Sequence, residues 1–199
     1  MKKRKILIIN GHPDDQSFNH ALAESYAKGA RAAGHEVKLV HLGELTFDPV
    51  LRFGYRKHMR LEDDLEPQQG LVKWCDHLVI FTPIWWLSKT SLLQGYFERV
   101  FTPGFAYSHK KRRLSFLNFV PVRLLKGRSA RVLYTQDGPK WLYAIILRGS
   151  FWISFKYGVL LFCGFSPIRR TFFAGVTNST DEQRSRWLQA AERLGGRGV

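Results

Sequence analysis

The chain has 199 residues, 45% of them hydrophobic, which suits one domain (1–199) with a core that needs no disulfides. Cys75 and Cys163 lie far apart and form no C-x-x-C pair, so they argue for neither a zinc site nor a dithiol; a reducing cytoplasm fits. The net charge of +15 gathers at Arg52, Arg56, Lys57 and Arg60, at Lys110 to Arg113, and at Arg128 and Arg131, which read as solvated loops. Such a charge invites an anionic partner. No nucleic-acid motif accompanies it, so a phosphate-rich cofactor, peripheral contact with an anionic membrane, or plain solubility are the simpler readings.

In chain order, the apolar run after MKKRK is too short for a signal peptide and reads as a first strand, Ile6 to Ile9, closed by Asn10 and Gly11. His12 and Pro13 open a loop, and Ser17 and Asn19 are good N-cap residues for a helix in which Leu22, Tyr26, Ala30 and Ala33 recur at helical spacing. A loop leading to a helix N-terminus is an anion site in waiting. Its spacing matches neither the dinucleotide fingerprint nor the nucleoside-triphosphatase loop. Gly34 reads as a C′ residue, and Glu36 to Leu42 alternates as a second strand. Thr46 to Glu66 is aperiodic, with a short helix expected around Gly54 to Met59. Pro67 starts another helix, and HLVIF after Asp76 is the third strand.

Two adjacent indoles follow in Pro83-Ile84-Trp85-Trp86-Leu87, at the carboxyl end of that strand, where open α/β sheets bind ligands. Leu92, Leu93, Tyr96, Phe97, Val100 and Phe101 then form a broad apolar face on a helix expected to begin near Ser88. So wide a face predicts packing against the sheet and a second subunit together. The basic stretch from Ser108 to Gly127 reads as an extended loop or hairpin anchored by Leu114, Phe116, Leu117 and Phe119. RSARVLYT is strand four, ending in the turn Gln136-Asp137-Gly138-Pro139. Trp141 to Phe165 is strongly apolar, but Arg148 and Lys156 interrupt it, so a core helix breaking near Gly149 is expected rather than a membrane span. IRRTFFAG is strand five, and a last helix runs from an Asp181 cap to Leu194, with Trp187, Ala191 and Leu194 inward. The alternation predicts an α/β, doubly wound five-stranded parallel sheet in the order 2-1-3-4-5, helices on both faces.

Three loops would then meet at one rim: His12 to Asn19, Pro83 to Leu87 and Thr135 to Pro139. They offer phosphate donors, an aromatic wall, and backbone N–H groups with Tyr143 nearby, a combination that suits a flavin. The histidines are scattered in sequence, so no metal is expected.

Those motifs resemble the flavodoxin-like NAD(P)H:quinone oxidoreductase family of the DT-diaphorase type. The similarity rests on GHPDDQSFN from Gly11, the P-x-W-W turn at Pro83, QGYFERVFTPGFAY from Gln94 and the T-x-D-x-P turn at Thr135, and it spans nearly the whole chain. The resemblance implies a homodimer with the site at the subunit interface. It implies that His12, Ser17, Phe18 and Asn19 hold the flavin phosphate and ribityl chain, and that Pro83, Ile84, Trp85, Trp86 and Leu87 flank the ring. Thr135, Gln136, Asp137 and Gly138, with Tyr143, would address its pyrimidine side, and Tyr107 would reach the substrate pocket across the dimer. Ping-pong hydride transfer from NAD(P)H to a quinone or similar electrophile is implied, with Tyr143 donating a hydrogen bond to the acceptor. FAD belongs to the closest motif set and FMN to several shorter relatives. Two departures stand out. Gly149 replaces the histidine that the family pairs with this tyrosine, no histidine following His109, and Thr90 replaces a common proline, with Ser88 a substitute cap. The contrasting reading is a regulatory flavoprotein that docks on a membrane transport partner with little turnover, motivated by the basic loops and the apolar stretch. A one-electron flavodoxin carrier is disfavoured, such carriers being acidic.

Overall fold

The computed structural model describes residues 2–108, 121–138, 141, 143 and 148–199. Five strands form one parallel sheet: β1 (Lys5–Asn10), β2 (Glu36–His41), β3 (His77–Pro83), β6 (Ser129–Gln136) and β7 (Ile168–Ala174), in spatial order β2-β1-β3-β6-β7. Counting only these strands, this is the expected 2-1-3-4-5 order. Two short strands, β4 (Tyr107–Ser108) and β5 (Val122–Arg123), pair antiparallel outside it. They bracket the stretch expected to form a hairpin, whose proposed anchors Leu114, Phe116, Leu117 and Phe119 lie outside the described residues.

Alternation along β1 divides the core. Ile6 and Ile8 face one layer with α1 (Phe18–Ala32) and α6 (Asp181–Arg197), where Leu22, Tyr26, Ala30 and Ala191 are fully buried. Leu7 and Ile9 face the other, packed with α2 (Glu66–Trp74), α3 (Ser91–Val100), α4 (Ser150–Phe155) and α5 (Leu161–Cys163). Both faces of the sheet's centre are therefore apolar, which is why β1 and β3 read as continuous hydrophobic runs.

Several local expectations are corrected. Residues 52–57 form turns and bends in place of the expected short helix, and the regular piece between β2 and α2 is a 3₁₀ turn at Leu42–Glu44. The apolar helix begins at Ser91, capped by Thr90 and not by Ser88. Thr180 caps α6, and Asp181 is its first residue. Arg131 is buried, donating to the Val199 carbonyl at 2.6 Å and to Thr171 Oγ1 at 2.7 Å, and Arg128 donates to the carbonyls of Val72 and Lys73, so neither is a solvated loop charge.

The broad face of α3 is also largely absorbed by its own chain. Leu93, Tyr96, Phe97, Val100 and Phe101 are buried in the monomer, leaving Leu92 partly exposed. Arg99, on the same helix, is sunk to 1% exposure, where it makes a bidentate bridge to Glu62 and donates to the Asp48 and Arg60 carbonyls. That knot ties the aperiodic 46–66 segment to the core.

After Gly149 the apolar stretch is α4, a π-helical turn at Lys156–Leu160, then α5, ending at Gly164 with φ +114°. Among the described residues no helix is long and apolar enough to cross a membrane.

Candidate functional site

The carboxyl rim of the sheet collects the three loops. At the end of β1, the Gly11 N–H donates to Phe81 O at 2.8 Å, and its carbonyl accepts from Thr90 Oγ1 at 2.7 Å. Thr90 also accepts from the Leu93 N–H, so one hydroxyl caps α3 and fastens it to the β1 loop. Gly11 is required there, because a Cβ would press on Leu93 at 2.9 Å.

The loop that follows is held by its own side chains. Asn10 Oδ1 accepts from His12 N, His12 Nδ1 accepts from Asp14 N at 3.0 Å, and Asp14 Oδ1 accepts from Gln16 N. Because Nδ1 is an acceptor, the neutral ring carries its proton on Nε2. Burial lowers the His12 pKa, opposed by a hydrogen bond from and the charge of Asp14, so the neutral donor form is favoured.

Ser17 caps α1 by accepting from His20 N at 3.2 Å. Among the described residues no partner is recorded for the N–H groups of Phe18 and Asn19, at the positive end of a 15-residue helix whose first turn holds no acid.

Thr135 joins the other two loops to this one. Its hydroxyl accepts from Asn19 Nδ2 at 2.8 Å, and its carbonyl accepts from Ile84 N at 2.8 Å. Gln136 and Asp137 are fixed by the segment after β7: Gln136 O accepts from Gly175 N, and Asp137 Oδ1 from Thr177 N at 2.8 Å.

The result is a cleft of about 280 Å³ that brings together His12, Ser17, Phe18, Asn19, Pro83, Ile84, Trp85, Thr135, Gln136 and Asp137. Asp14, within the His12 to Asn19 loop, and Val176 and Thr177 complete the lining; the last two had no sequence signal, since they depend on how β7 exits beside β6. Asn19 Oδ1 and Gln136 Oε1 are buried without a partner among the described residues. Orphaned acceptors beside free helix N–H groups form a polar cradle that fits the phosphate and polyol portion of a flavin nucleotide.

The remaining site residues stand elsewhere. Trp85 turns an edge toward His12, with ring centroids 5.4 Å apart. Trp86 is 100% exposed and Leu87 43%, and both lie outside the cleft lining. The backbone explains why: Trp85 and Ser88 exchange N–H···O bonds at 3.1 and 2.8 Å, with φ of +50° at Trp86 and +57° at Leu87. This is a two-residue primed turn built without glycine, a strained arrangement. Gly138 does not line the cleft. Tyr107 sits on β4 against Phe162, ring centroids 4.8 Å apart.

Tyr143 is buried in a second cavity of about 520 Å³, with Tyr134, Arg148, Gly149, Trp152, Ile153, Arg170 and Phe172. Its Oη accepts from Trp152 N at 3.2 Å, and burial pushes its phenol up to about 12. At Gly149 a Cβ would meet Arg170 Nη1 at 3.8 Å and Tyr143 Cε1 at 4.0 Å, so a guanidinium occupies the neighbourhood of the missing histidine. Arg170 went unremarked in the sequence, where it is one of two arginines in strand five.

The fold also assembles His20, His41 and Glu44, scattered in sequence, with ligand atoms within 4.8 Å of one another. The two imidazoles stack at 3.9 Å and 14°, which runs their lone pairs parallel instead of toward one point. His41 bonds Asn10 and Glu24 instead.

A parallel sheet in this strand order, with a capped helix terminus and an aromatic turn at its carboxyl rim, defines an α/β protein of the flavodoxin-like class. The chain belongs to the flavodoxin-like fold family, which it matches over residues 4–195. It is 28% identical over 207 residues to NAD(P)H dehydrogenase [quinone] 1 of Cavia porcellus, covering 93% of this chain and 74% of that protein. It is 25% identical over 224 residues to ribosyldihydronicotinamide dehydrogenase [quinone] of Mus musculus, covering 98% and 92%. Among solved structures, Smu.1420 of Streptococcus mutans superposes with a TM-score of 0.80 at 29% identity, over 97% of this chain and 99% of that one. These relatives bear out the resemblance to the NAD(P)H:quinone oxidoreductases.

Proposed function

We propose that the protein is an NAD(P)H oxidoreductase that carries a flavin and reduces quinones or similar small electrophiles. The observation that carries this is the tie through Thr135, which gathers helix α1, the tryptophan turn and the β6 exit around one polar cradle. Relatives named as quinone-reducing dehydrogenases over nearly the whole chain support the same reading. A bound flavin would supply the two-electron carrier that takes hydride from NAD(P)H and passes it to the acceptor in ping-pong order.

The chain's own part is to bind, orient and stabilise charge. Ser17, the α1 N–H groups and His12 Nε2–H hold the phosphate in this scheme, Asn19 and Thr135 the ribityl chain, and Trp85 the near edge of the ring. Tyr143, kept protonated by burial, donates to the reduced acceptor. The reading includes a cytoplasmic homodimer, whose mass light scattering would report.

Three measurements test it. Freshly purified protein should be yellow, with FAD or FMN released by acid and identified by mass, and should oxidise NAD(P)H with menadione at enzymatic rates. Bound flavin with negligible turnover would favour the membrane-docking alternative, and a protein that takes up neither flavin on titration ends the proposal. The double variant His12→Ala with Ser17→Ala should bind flavin at least about tenfold more weakly, since a hydrogen bond to a charged group contributes about 1.5–3 kcal/mol. Thermal unfolding of the apoprotein separates that loss from the cap that Ser17 supplies to α1.

A further inference from the structure

We infer that the cavity between α4 and the β6–β7 edge is a binding site for planar aromatic anions, with Arg170 and Arg148 as the charge-recognising residues. Register builds its floor: Tyr134 on β6 pairs with Phe172 on β7, and Arg170, two residues before Phe172, shares that face. Tyr134 and Phe172 stack with centroids 4.9 Å apart, and Tyr143 leans on Phe172 at 5.5 Å. Trp152 from α4 forms the wall. Two phenols, an indole and a phenyl ring thus surround a space of about 520 Å³, a size ordinary for small-molecule sites.

At the mouth of this aromatic cavity the fold places two exposed positive charges, Arg148 and Arg170. Among the described residues no acidic residue lines the cavity and neither arginine is in an ion pair. Arg170 is positioned by neutral partners alone: its guanidinium lies 5.3 Å from the Trp152 ring centre, and Nη1 donates to Tyr134 Oη at 3.4 Å. That leaves most of its donor fork open for a bidentate carboxylate or sulfonate. Arg148 is presented by strained backbone. Its φ is +48° and that of Gly149 is +61°, and the Gly149 N–H donates to the Tyr143 carbonyl at 3.0 Å. A non-glycine residue held there costs about 1–3 kcal/mol and persists only where the surroundings impose it. The flat aromatic walls select a ring, and the guanidinium pair selects an acidic substituent on it. Because Tyr143 lies in the same cavity, the site names the acceptor class under the proposed function: quinones bearing a sulfonate or carboxylate.

The binding test needs no turnover. Purified holoprotein is titrated calorimetrically with naphthalene-2-sulfonate and with the uncharged naphthalene-2-sulfonamide. The sulfonate should bind at least tenfold tighter, and Arg170→Gln should remove most of that difference while Arg170→Lys keeps part of it. The preference should shrink as salt rises, as expected for a partly exposed charge contact. Circular dichroism of each variant checks folding, and Arg148→Gln reports the second charge separately.

Equal affinity for the two probes, a preference indifferent to Arg170 and Arg148, or displacement of the sulfonate by inorganic phosphate at comparable concentration would overturn the site. Steady-state kinetics then compare 1,2-naphthoquinone-4-sulfonate with menadione. The ratio of their KM values should rise about tenfold in Arg170→Gln, a readout that general loss of structure would not move. Sulfonate binding with no quinone turnover keeps the site and sinks the enzymatic reading. Turnover without charge preference does the reverse.

Discussion

His77 begins β3 and is 2% exposed, with Nδ1 at 2.8 Å from Ser129 Oγ and Nε2 buried without a partner among the described residues. Burial, reinforced by Arg4, Arg131 and Arg169, pushes its pKa down to about 3. A histidine so depressed leaves stability untouched above its unfolded pKa of about 6.5 and subtracts from it as pH falls toward the folded value. Between pH 7 and pH 5 the loss from this one group should be about 2 kcal/mol. Urea unfolding of the protein and of His77→Asn at both pH values checks it: the variant should lack that component of the pH dependence, and an identical slope would refute the assignment. At this scale the sequence was only partly legible. Ser17 as the cap and His12 in the loop could be read from local pattern, since both act on backbone within three residues. Arg99 and Arg170 could not, because their partners lie 37 and 36 residues away. A charged residue inside an apolar helical face, as at Arg99, is the one hint of such a knot that the sequence does offer.

At the scale of elements, Thr90 shows how a cap can also be a tie. Thr90→Ala removes the acceptor for Leu93 N, worth about 1 kcal/mol, and strands the buried Gly11 carbonyl, worth about 1–3 kcal/mol more. A net loss of about 2–4 kcal/mol is expected, with Thr90→Ser close to the parent protein; equilibrium unfolding distinguishes them. The central strands β1 and β3 were legible because they are apolar on both faces, the edge strand β2 because it alternates, and α1, α2 and α6 because their periods or first-turn residues are clear. The start of α3 was misplaced because Ser88 and Thr90 are both capping residues. The choice between them is made by the Gly11 carbonyl, which is distant in sequence. The expected helix after Gly54 failed for a related reason: segment 46–66 is organised by Arg99, Asp48 and Glu62, not by any period of its own.

For the whole molecule, the contact between α1 and α6 sets the thickness of one layer. A Cβ on Gly29 would run into the Glu192 carbonyl, and one on Gly195 into that of Tyr26, so each helix offers a glycine where the other's backbone passes. Gly29→Ala should therefore cost about 2–3 kcal/mol by forcing the helices apart. Gly70→Ala in α2, where nothing lies within 4 Å, should instead stabilise by about 0.5–1 kcal/mol. Melting temperatures moving in opposite directions would bear this out. The sheet order and the convergence of three loops were readable from alternation alone, because parallel topology puts every carboxyl end on one rim. The second cavity was not: it arises from β6–β7 register and the break at Gly149, which together bring Tyr143 away from the polar cradle and beside Arg170.

The turn at Trp86 leaves a whole indole in water, supported by two left-handed residues that would relax elsewhere in conformational space. Folding has therefore withheld a contribution it could have collected. Covering a ring of about 200 Å² would release about 5 kcal/mol of apolar driving force, and that reserve falls to whatever settles over the turn, whether a bound ring or a neighbouring molecule. Affinity at the rim is thus drawn from surface that the isolated chain declined to hide.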